Sequence, residues 1–360
     1  MNKHEFWHLD PPLVISLMLL CGLSLVILYS AGGENIALLV RQGVRIGIAF
    51  AVMFAVAQVS PETFNRWSPY IFAAGLGLLL LVLAVGIVGK GAQRWLDLGF
   101  FRFQPAELMK LGVPMMVAWV LTRQPLPPHF KDLLAAGVIV GLPTALVALQ
   151  PDLGTAVLIA VSGVLVIFLA GISWRYIVYV LGALGAVTPL LWSLLHDYQR
   201  SRIVTLFDPW VDPLGAGYHT IQSIIAVGSG GTYGKGWLNG SRSQLEFIPE
   251  RGTDFIFAVF AEEFGLIGAV LLIGLYLVVV GRSLYIAFCT RDTFARLVAG
   301  SLALTFFFYL FVNIGMVAGI LPVVGVPLPL ISYGGTSMVT LMAGFGILMS
   351  IQTHRKFMAQ

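Results

Sequence analysis

The chain has 360 residues, of which 58% are hydrophobic and 11% charged, with a net charge of +4 and a mean hydropathy of +0.90. That leaves too little polar surface to cover a soluble domain. Apolar runs of about 20 residues recur, the length that crosses a bilayer core of ~30 Å. Barrel strands would read instead as ~10-residue alternating segments, so the composition predicts an all-α polytopic membrane protein.

Ten spans are expected, at about 12–31, 38–59, 68–88, 105–122, 132–149, 152–171, 174–194, 255–281, 294–319 and 335–351. The first is longer than a signal-peptide core and lacks a small-residue cleavage pattern, so it is read as uncleaved. An even count puts both termini on one side. That side carries Lys3, Arg66, Arg123, Lys131, Arg175, Arg282, Arg291, Arg296, Arg355 and Lys356. The opposite short loops hold Lys90, Arg94 and Arg102, with Arg41 and Arg45 early in the second span. The positive-inside rule makes both termini cytoplasmic.

Three irregular segments then fall outside. One is a large extracytoplasmic loop over about 196–253. Another, 90–104, is half apolar and half cationic. The third, 319–335, carries three prolines and no charge. It is too broken for a helix and too apolar for water, so it is expected to be re-entrant, since irregular backbone at membrane depth must be buried in protein or line a cavity. The chain is read as a single domain over 1–360 with an outward-facing site. No internal repeat stands out, which disfavours an inverted-repeat transporter.

The costly residues in such a chain are its carboxylates. Asp254 opens the eighth span in PERGTDFIFAVFAEEFG (249–265). It fits a helix cap or a general base whose apolar surroundings make it more basic. Glu262 and Glu263 lie inside the same run and must face protein, water or a cation; structural pairing is the favoured reading. Glu107 and Lys110 share a helix face in the fourth span, either as a structural pair or as a lysine aimed at an anion. Asp152 follows Pro151 and either caps the sixth span or joins Asp254 at the outer level. Lys90, Arg94 and Arg102 fit interfacial snorkelling or a cationic rim for a phosphorylated lipid headgroup.

GSGGTYGKG (228–236) fails the phosphate-loop pattern and is read as a flexible loop. His196 and His219 lack metal-ligand spacing. Cys21 and Cys289 lack disulfide or zinc spacing and fit packing roles. No nucleic-acid partner is expected. These features suit an enzyme acting on a phosphorylated lipid or a transporter of one.

Seven stretches then carry a resemblance: KGAQRWLDLG (90–99), RFQPAELMK (102–110), QPDLGTA (150–156), DPLGAGYHTIQS (212–223), GSGGTYGKGW (228–237), SQLEFIPERGTDFIFAVFAEEFG (243–265) and NIGMVAGILPVVGVPLPLISYGG (313–335). Together they resemble the SEDS family (shape, elongation, division and sporulation), and its elongation branch in particular. The resemblance implies ten transmembrane helices in a bacterial cytoplasmic (inner) membrane. It implies a peptidoglycan glycosyltransferase that polymerises lipid II on the outer face during cell elongation and rod-shape maintenance. The implied partners are a class B penicillin-binding protein (the transpeptidase) and the rod-elongation complex. The implied substrates are lipid II and an undecaprenyl-pyrophosphate-linked glycan, among membrane lipids. The implied catalytic residue is Asp254, and Asp152 and the Glu107–Lys110 pair match family residues that line or support the central cavity. Together with the rim cations Arg102, Arg94 and Lys90, these are the expected substrate-binding residues. A divalent cation, Mg or Mn, is also implied, with unassigned ligands. The expected reaction inverts the sugar configuration and releases undecaprenyl pyrophosphate. Lipid II flipping is the alternative.

Overall fold

The structure is a computed structural model. It describes residues 8–89, 92–97, 99, 102–176, 178–179, 182, 185, 208–213, 215, 217–240 and 250–354. In chain order the helices are α1 (Pro11–Ala31), α2 (Ile36–Ala57), α3 (Pro61–Val85), α4 (Pro105–Leu121), α5 (Phe130–Leu149), α6 (Leu153–Leu169), α7 (Tyr218–Ser229), α8 (Ile256–Cys289), α9 (Thr293–Val317) and α10 (Thr336–His354). Among the described residues, seven helices are long and apolar enough to cross a membrane. Helices α4 and α6, at 17 residues each, run alongside them. Nine of the ten expected spans coincide with a helix; the seventh, 174–194, lies mostly outside the described residues.

Polar residues at the ends start these helices. Asp10, Asn35, Asp152 and Asp292 each accept a hydrogen bond from a first-turn amide, satisfying donors a helix leaves orphaned. Interior faces are apolar, and so are the outward faces: Ile15, Leu19, Val138, Leu142, Leu271 and Val278 are all exposed. Both sides being apolar is the pattern of helices packed in lipid. Helix α10 packs chiefly on α2, α9 on α8 and α6, and α4 on α3 and α6.

The chain ends share one end of the bundle. His8 stacks on His354, and Asp10 receives two hydrogen bonds from Arg282, at 3.1 and 2.6 Å. The irregular segments gather at the other end. There 87–103 is not a plain loop but a small antiparallel sheet, β1 (Ile87–Gly89), β2 (Ala92–Asp97) and β3 (Arg102–Phe103), in the order β1-β2-β3. Its registers pair Val88 with Gln93 and Asp97 with Arg102.

Segment 319–335 is non-helical; its first part is largely exposed, with Ile320 at 74%, and its second part is buried, with Leu328, Leu330 and Ile331 each at most 2% exposed. Ser24 Oγ donates to the Ile331 carbonyl at 2.8 Å. Ser24 lies seven residues before the end of α1, so the segment dips about 10 Å below that end at 1.5 Å per residue. Tyr276 donates to the Pro329 carbonyl and Gln42 to the Ser332 carbonyl. The carbonyls that a non-helical path leaves open are thus met by side chains from three helices, as membrane depth requires.

Helix α8 is broken at Gly265 (φ 66°, ψ −165°). The break is filled by the glycine-rich segment after α7, which is therefore not a loose loop. Lys235 and Gly236 amides donate to the Glu262 and Glu263 carbonyls; Leu266 and Ile267 amides donate to the Gly231 and Thr232 carbonyls. One strand of backbone thus closes the C-terminal end of the first half and the N-terminal end of the second. Only glycine permits this approach: a Cβ on Gly234 would sit 2.1 Å from the Glu263 carbonyl oxygen.

Candidate active site

Asp254 lies in the turn before α8, half-buried. It is not the helix cap: that position is Phe255, which makes no side-chain cap bond. The turn is instead fastened to the re-entrant segment. Ser332 Oγ donates to the Thr253 carbonyl at 2.6 Å, and the Tyr333 amide to the Gly252 carbonyl at 2.8 Å. Asn313 Nδ2 on α9 donates to both the Asp254 carbonyl (2.9 Å) and the Val326 carbonyl (2.7 Å). One fully buried amide therefore ties the acidic turn to the segment facing it. The Asp254 carboxylate points across to Gly325, where a Cβ would lie 3.5 Å from Oδ2.

Gly325 links this acid to a second one. The next carbonyl back, Val324, packs so closely on Gly154 that a Cβ there would fall 2.4 Å from its oxygen. Gly154 is two residues after Asp152. Asp152 caps α6 through the Thr155 amide (3.3 Å), accepts from Gln104 Nε2 (3.0 Å) and faces Arg94 Nε at 3.6 Å. Arg94 reaches it from β2 and also donates to the Pro151 carbonyl at 2.5 Å. The capping reading of Asp152 is correct, and backbone 324–325 runs between Gly154, two residues on, and the Asp254 carboxylate.

Glu107 and Lys110 form an ion pair at 2.7 Å, 4% and 6% exposed. Lys110 Nζ lies 5.2 Å from the Tyr309 ring centroid, and a small cavity opens beside it, lined also by Thr305 and Tyr309. The lysine is thus held inside the bundle by its carboxylate rather than aimed out at the surface. Lys90 lies outside the described residues, as does the Arg102 side chain.

Glu262 and Glu263 each have a polar partner, as expected, and both lie at the site end of the bundle. Glu262 meets Lys235 Nζ at 2.6 Å, from the segment filling the helix break. Glu263 accepts from Ser30, one residue before the end of α1. The break at Gly265 keeps both at the site end. His219 stacks on Phe255, beside the acidic turn.

Two features escaped the sequence reading. Thr305, Tyr309 and Asn313 stand four residues apart on α9, so they form one polar stripe linking the Lys110 pair to the Asp254 turn. The signal was present as three polar residues at helical spacing in an apolar span. Arg45 on α2 lies over the Tyr333 ring at 4.1 Å, with Nη1 buried and making no hydrogen bond. It brings a cation to the re-entrant segment.

Comparison with known proteins now adds to this geometry. Residues 6–357 match the profile described as a cell cycle protein family of FtsW, RodA and SpoVE. The chain is 52% identical to the peptidoglycan glycosyltransferase MrdB of Escherichia coli K12, over 100% of this chain and 98% of that one. Among solved structures, a chain of a peptidoglycan synthase complex that coordinates polymerization and crosslinking superposes with a TM-score of 0.85. It is 35% identical and covers 96% of this chain and 98% of its own. The rod shape determining protein RodA of Thermus thermophilus gives 0.73 at 30% identity, with 96% and 97% covered. This chain belongs to the family of FtsW, RodA and SpoVE.

Proposed function

We propose that the protein is a peptidoglycan glycosyltransferase that polymerises lipid II at the outer face of the cytoplasmic membrane during cell elongation. The observation that carries this reading is full-length similarity to the E. coli glycosyltransferase. The geometry supports it with one half-buried carboxylate, Asp254, held by backbone contacts from two other elements at the mouth of the bundle.

In this reading the acceptor is lipid II, attacking with the 4-hydroxyl of its N-acetylglucosamine. The attack falls on the anomeric carbon of the lipid-linked glycan donor. Asp254 takes the hydroxyl proton as the new C–O bond forms. The bond to undecaprenyl pyrophosphate breaks, and the pyrophosphate leaves with the electron pair. It is a good leaving group, so cations serve in place of a general acid. Arg94, about one-third exposed on β2, and Arg45 are placed for this charge, with Arg102 and Lys90 as further rim cations. Asp152 orients Arg94. Lys110 supplies positive potential from beneath, with Glu107 setting its position. A single displacement inverts the centre, which accounts for one decisive carboxylate where hydrolytic glycosidases use two.

The family resemblance also raises a divalent cation. Among the described residues no three His, Cys, Asp or Glu side chains form a ligand set, and Asp152 is already engaged by Gln104, Arg94 and a backbone amide. These donors build no protein cage for a cation, and the proposed steps run through side chains alone. The match to a chain of a peptidoglycan synthase complex supports a crosslinking partner, which we assign as a class B penicillin-binding protein.

The test is glycan polymerisation by the purified protein, with its partner, on lipid II. Asp254→Asn is expected to lower the rate by about 10²–10⁴-fold, the scale of a lost general base, with thermal stability retained. A parental rate in that variant would sink the base assignment. Movement of labelled lipid II across the membrane with no polymer from the parent would favour the flippase reading.

A further inference from the structure

Helix α4 ends at Leu121 and α9 begins at Thr293, both at the end of the bundle away from Asp254. Between them opens a cavity of about 350 Å³, within the roughly 300–1,000 Å³ of small-ligand sites. Its polar lining is Thr122, Arg123, Gln124, Thr293 and Arg296, with Pro125 and Leu126 closing one wall. No carboxylate is among the lining residues.

The Arg123 guanidinium lies over the Trp119 ring, 3.5 Å from its centroid. That contact places the cation through its face and leaves its N–H fork for a ligand. Neither Arg123 nor Arg296 forms an ion pair with a described residue. The nearest acid in sequence is Asp292, and it is already engaged, because its Oδ2 caps α9 through the Ala295 amide at 2.7 Å. Two unpaired guanidinium groups in one concave, carboxylate-free pocket suit a tetrahedral oxyanion, which arginine binds through parallel N–H···O bonds. The Thr293 hydroxyl adds a further donor, whereas that of Thr122 is already given to the Ala118 carbonyl at 2.8 Å.

The level of the pocket narrows the ligand. Trp119 is half-buried near the end of α4, and Tyr285 and Phe288 are exposed in the last turns of α8 at the same end. Such aromatics collect at the membrane–water boundary, and basic pockets there bind lipid headgroups. We propose that Arg123 and Arg296 form a phosphate site whose ligand is the headgroup of an anionic phospholipid. The site is separate from the glycosyl-transfer centre and occupies the opposite membrane surface.

The test is native mass spectrometry and thermal unfolding of the full chain in detergent, with phosphatidylglycerol, phosphatidylcholine or inorganic phosphate added. The parent is expected to retain phosphatidylglycerol over phosphatidylcholine. R123Q/R296Q is expected to lose that preference by about tenfold or more, the scale of charge-assisted hydrogen bonds. Lys131→Gln/Arg291→Gln, which removes two exposed charges outside the lining, is expected to keep it. Stabilisation of the parent, but not R123Q/R296Q, by inorganic phosphate alone would also support the site and make a soluble phosphate its ligand. No preference for phosphatidylglycerol and no response to phosphate, or equal loss in both double variants, overturns the proposal. Unchanged polymerisation by R123Q/R296Q verifies that it is folded.

Discussion

Glu107 and Lys110 illustrate how single residues behave in this protein. Each is almost fully buried, and each neutralises the other at 2.7 Å. Removing one member of such a pair leaves a bare charge in a low-dielectric interior and costs about 3–5 kcal/mol, whereas replacing both with uncharged residues is often tolerated. Lys110→Met alone is therefore expected to lower the unfolding temperature markedly, and Glu107→Gln/Lys110→Met to recover much of the loss. Thermal unfolding in detergent measures both. If Lys110 also serves the reaction, the double variant will be stable yet slow in polymerisation. The two carboxylates at the site face different demands. Asp152 is saturated by a cap, an amide and an arginine. Asp254 has Gly325 beside it, and Gly325→Ala would introduce a methyl 3.5 Å from its carboxylate at a φ of +69°. That change is expected to reduce polymerisation by tenfold or more at a modest stability cost of about 1 kcal/mol, read as rate and unfolding temperature in parallel.

At the scale of elements, the site depends on two devices that join distant segments. The first is Asn313, whose single amide spans the Asp254 turn and the re-entrant segment. Asn313→Leu removes both bonds while keeping the branched shape of the side chain. It is expected to cut kcat by about 10-fold or more through misplacement of the base, with the KM for lipid II much less affected. A merely structural residue would shift stability without this split. The second is the backbone plug in the α8 break. Gly234→Ala forces a methyl against the Glu263 carbonyl at 2.1 Å and is expected to destabilise the protein by several kcal/mol, seen in unfolding temperature and membrane yield. These devices also mark where sequence reading stops. The helices were legible because length and hydropathy alone specify a span, and the re-entrant segment because three prolines in an apolar stretch admit few alternatives. The sheet of 87–103 was not legible, because its strands are short and its composition mixed. Nor was the break at Gly265: a lone glycine in an apolar run costs a helix only about 1 kcal/mol, and its partners lie some thirty residues earlier. Thus Asp254 and Asp152 could be named from sequence, whereas Asn313, Tyr309 and Arg45 acquire meaning only when three helices converge.

At the scale of the whole molecule, the two ends are chemically distinct. One gathers the sheet, the re-entrant segment, the α8 break and the carboxylates Asp152, Asp254, Glu262 and Glu263. The other gathers the described arginines and lysines of the short connections: Arg66, Arg123, Lys131, Arg291 and Arg296. The positive-inside rule supports the proposal that the second end faces the cytoplasm and Asp254 the outside, where the proposed lipid-linked glycan would be joined to a wall. The orientation is testable with residues already exposed. Tyr233, 83% exposed beside the helix break, and Gln124, exposed in the loop after α4, lie at opposite ends. In a Cys289→Ser background, with Cys21 buried, Tyr233→Cys should react with a membrane-impermeant maleimide in intact spheroplasts. Gln124→Cys should react only after permeabilisation. The reverse pattern would put Asp254 in the cytoplasm, where it could not polymerise lipid II at the outer face. Reaction of both cysteines in intact spheroplasts would instead indicate a path for the reagent through the bundle, the behaviour required of a lipid transporter.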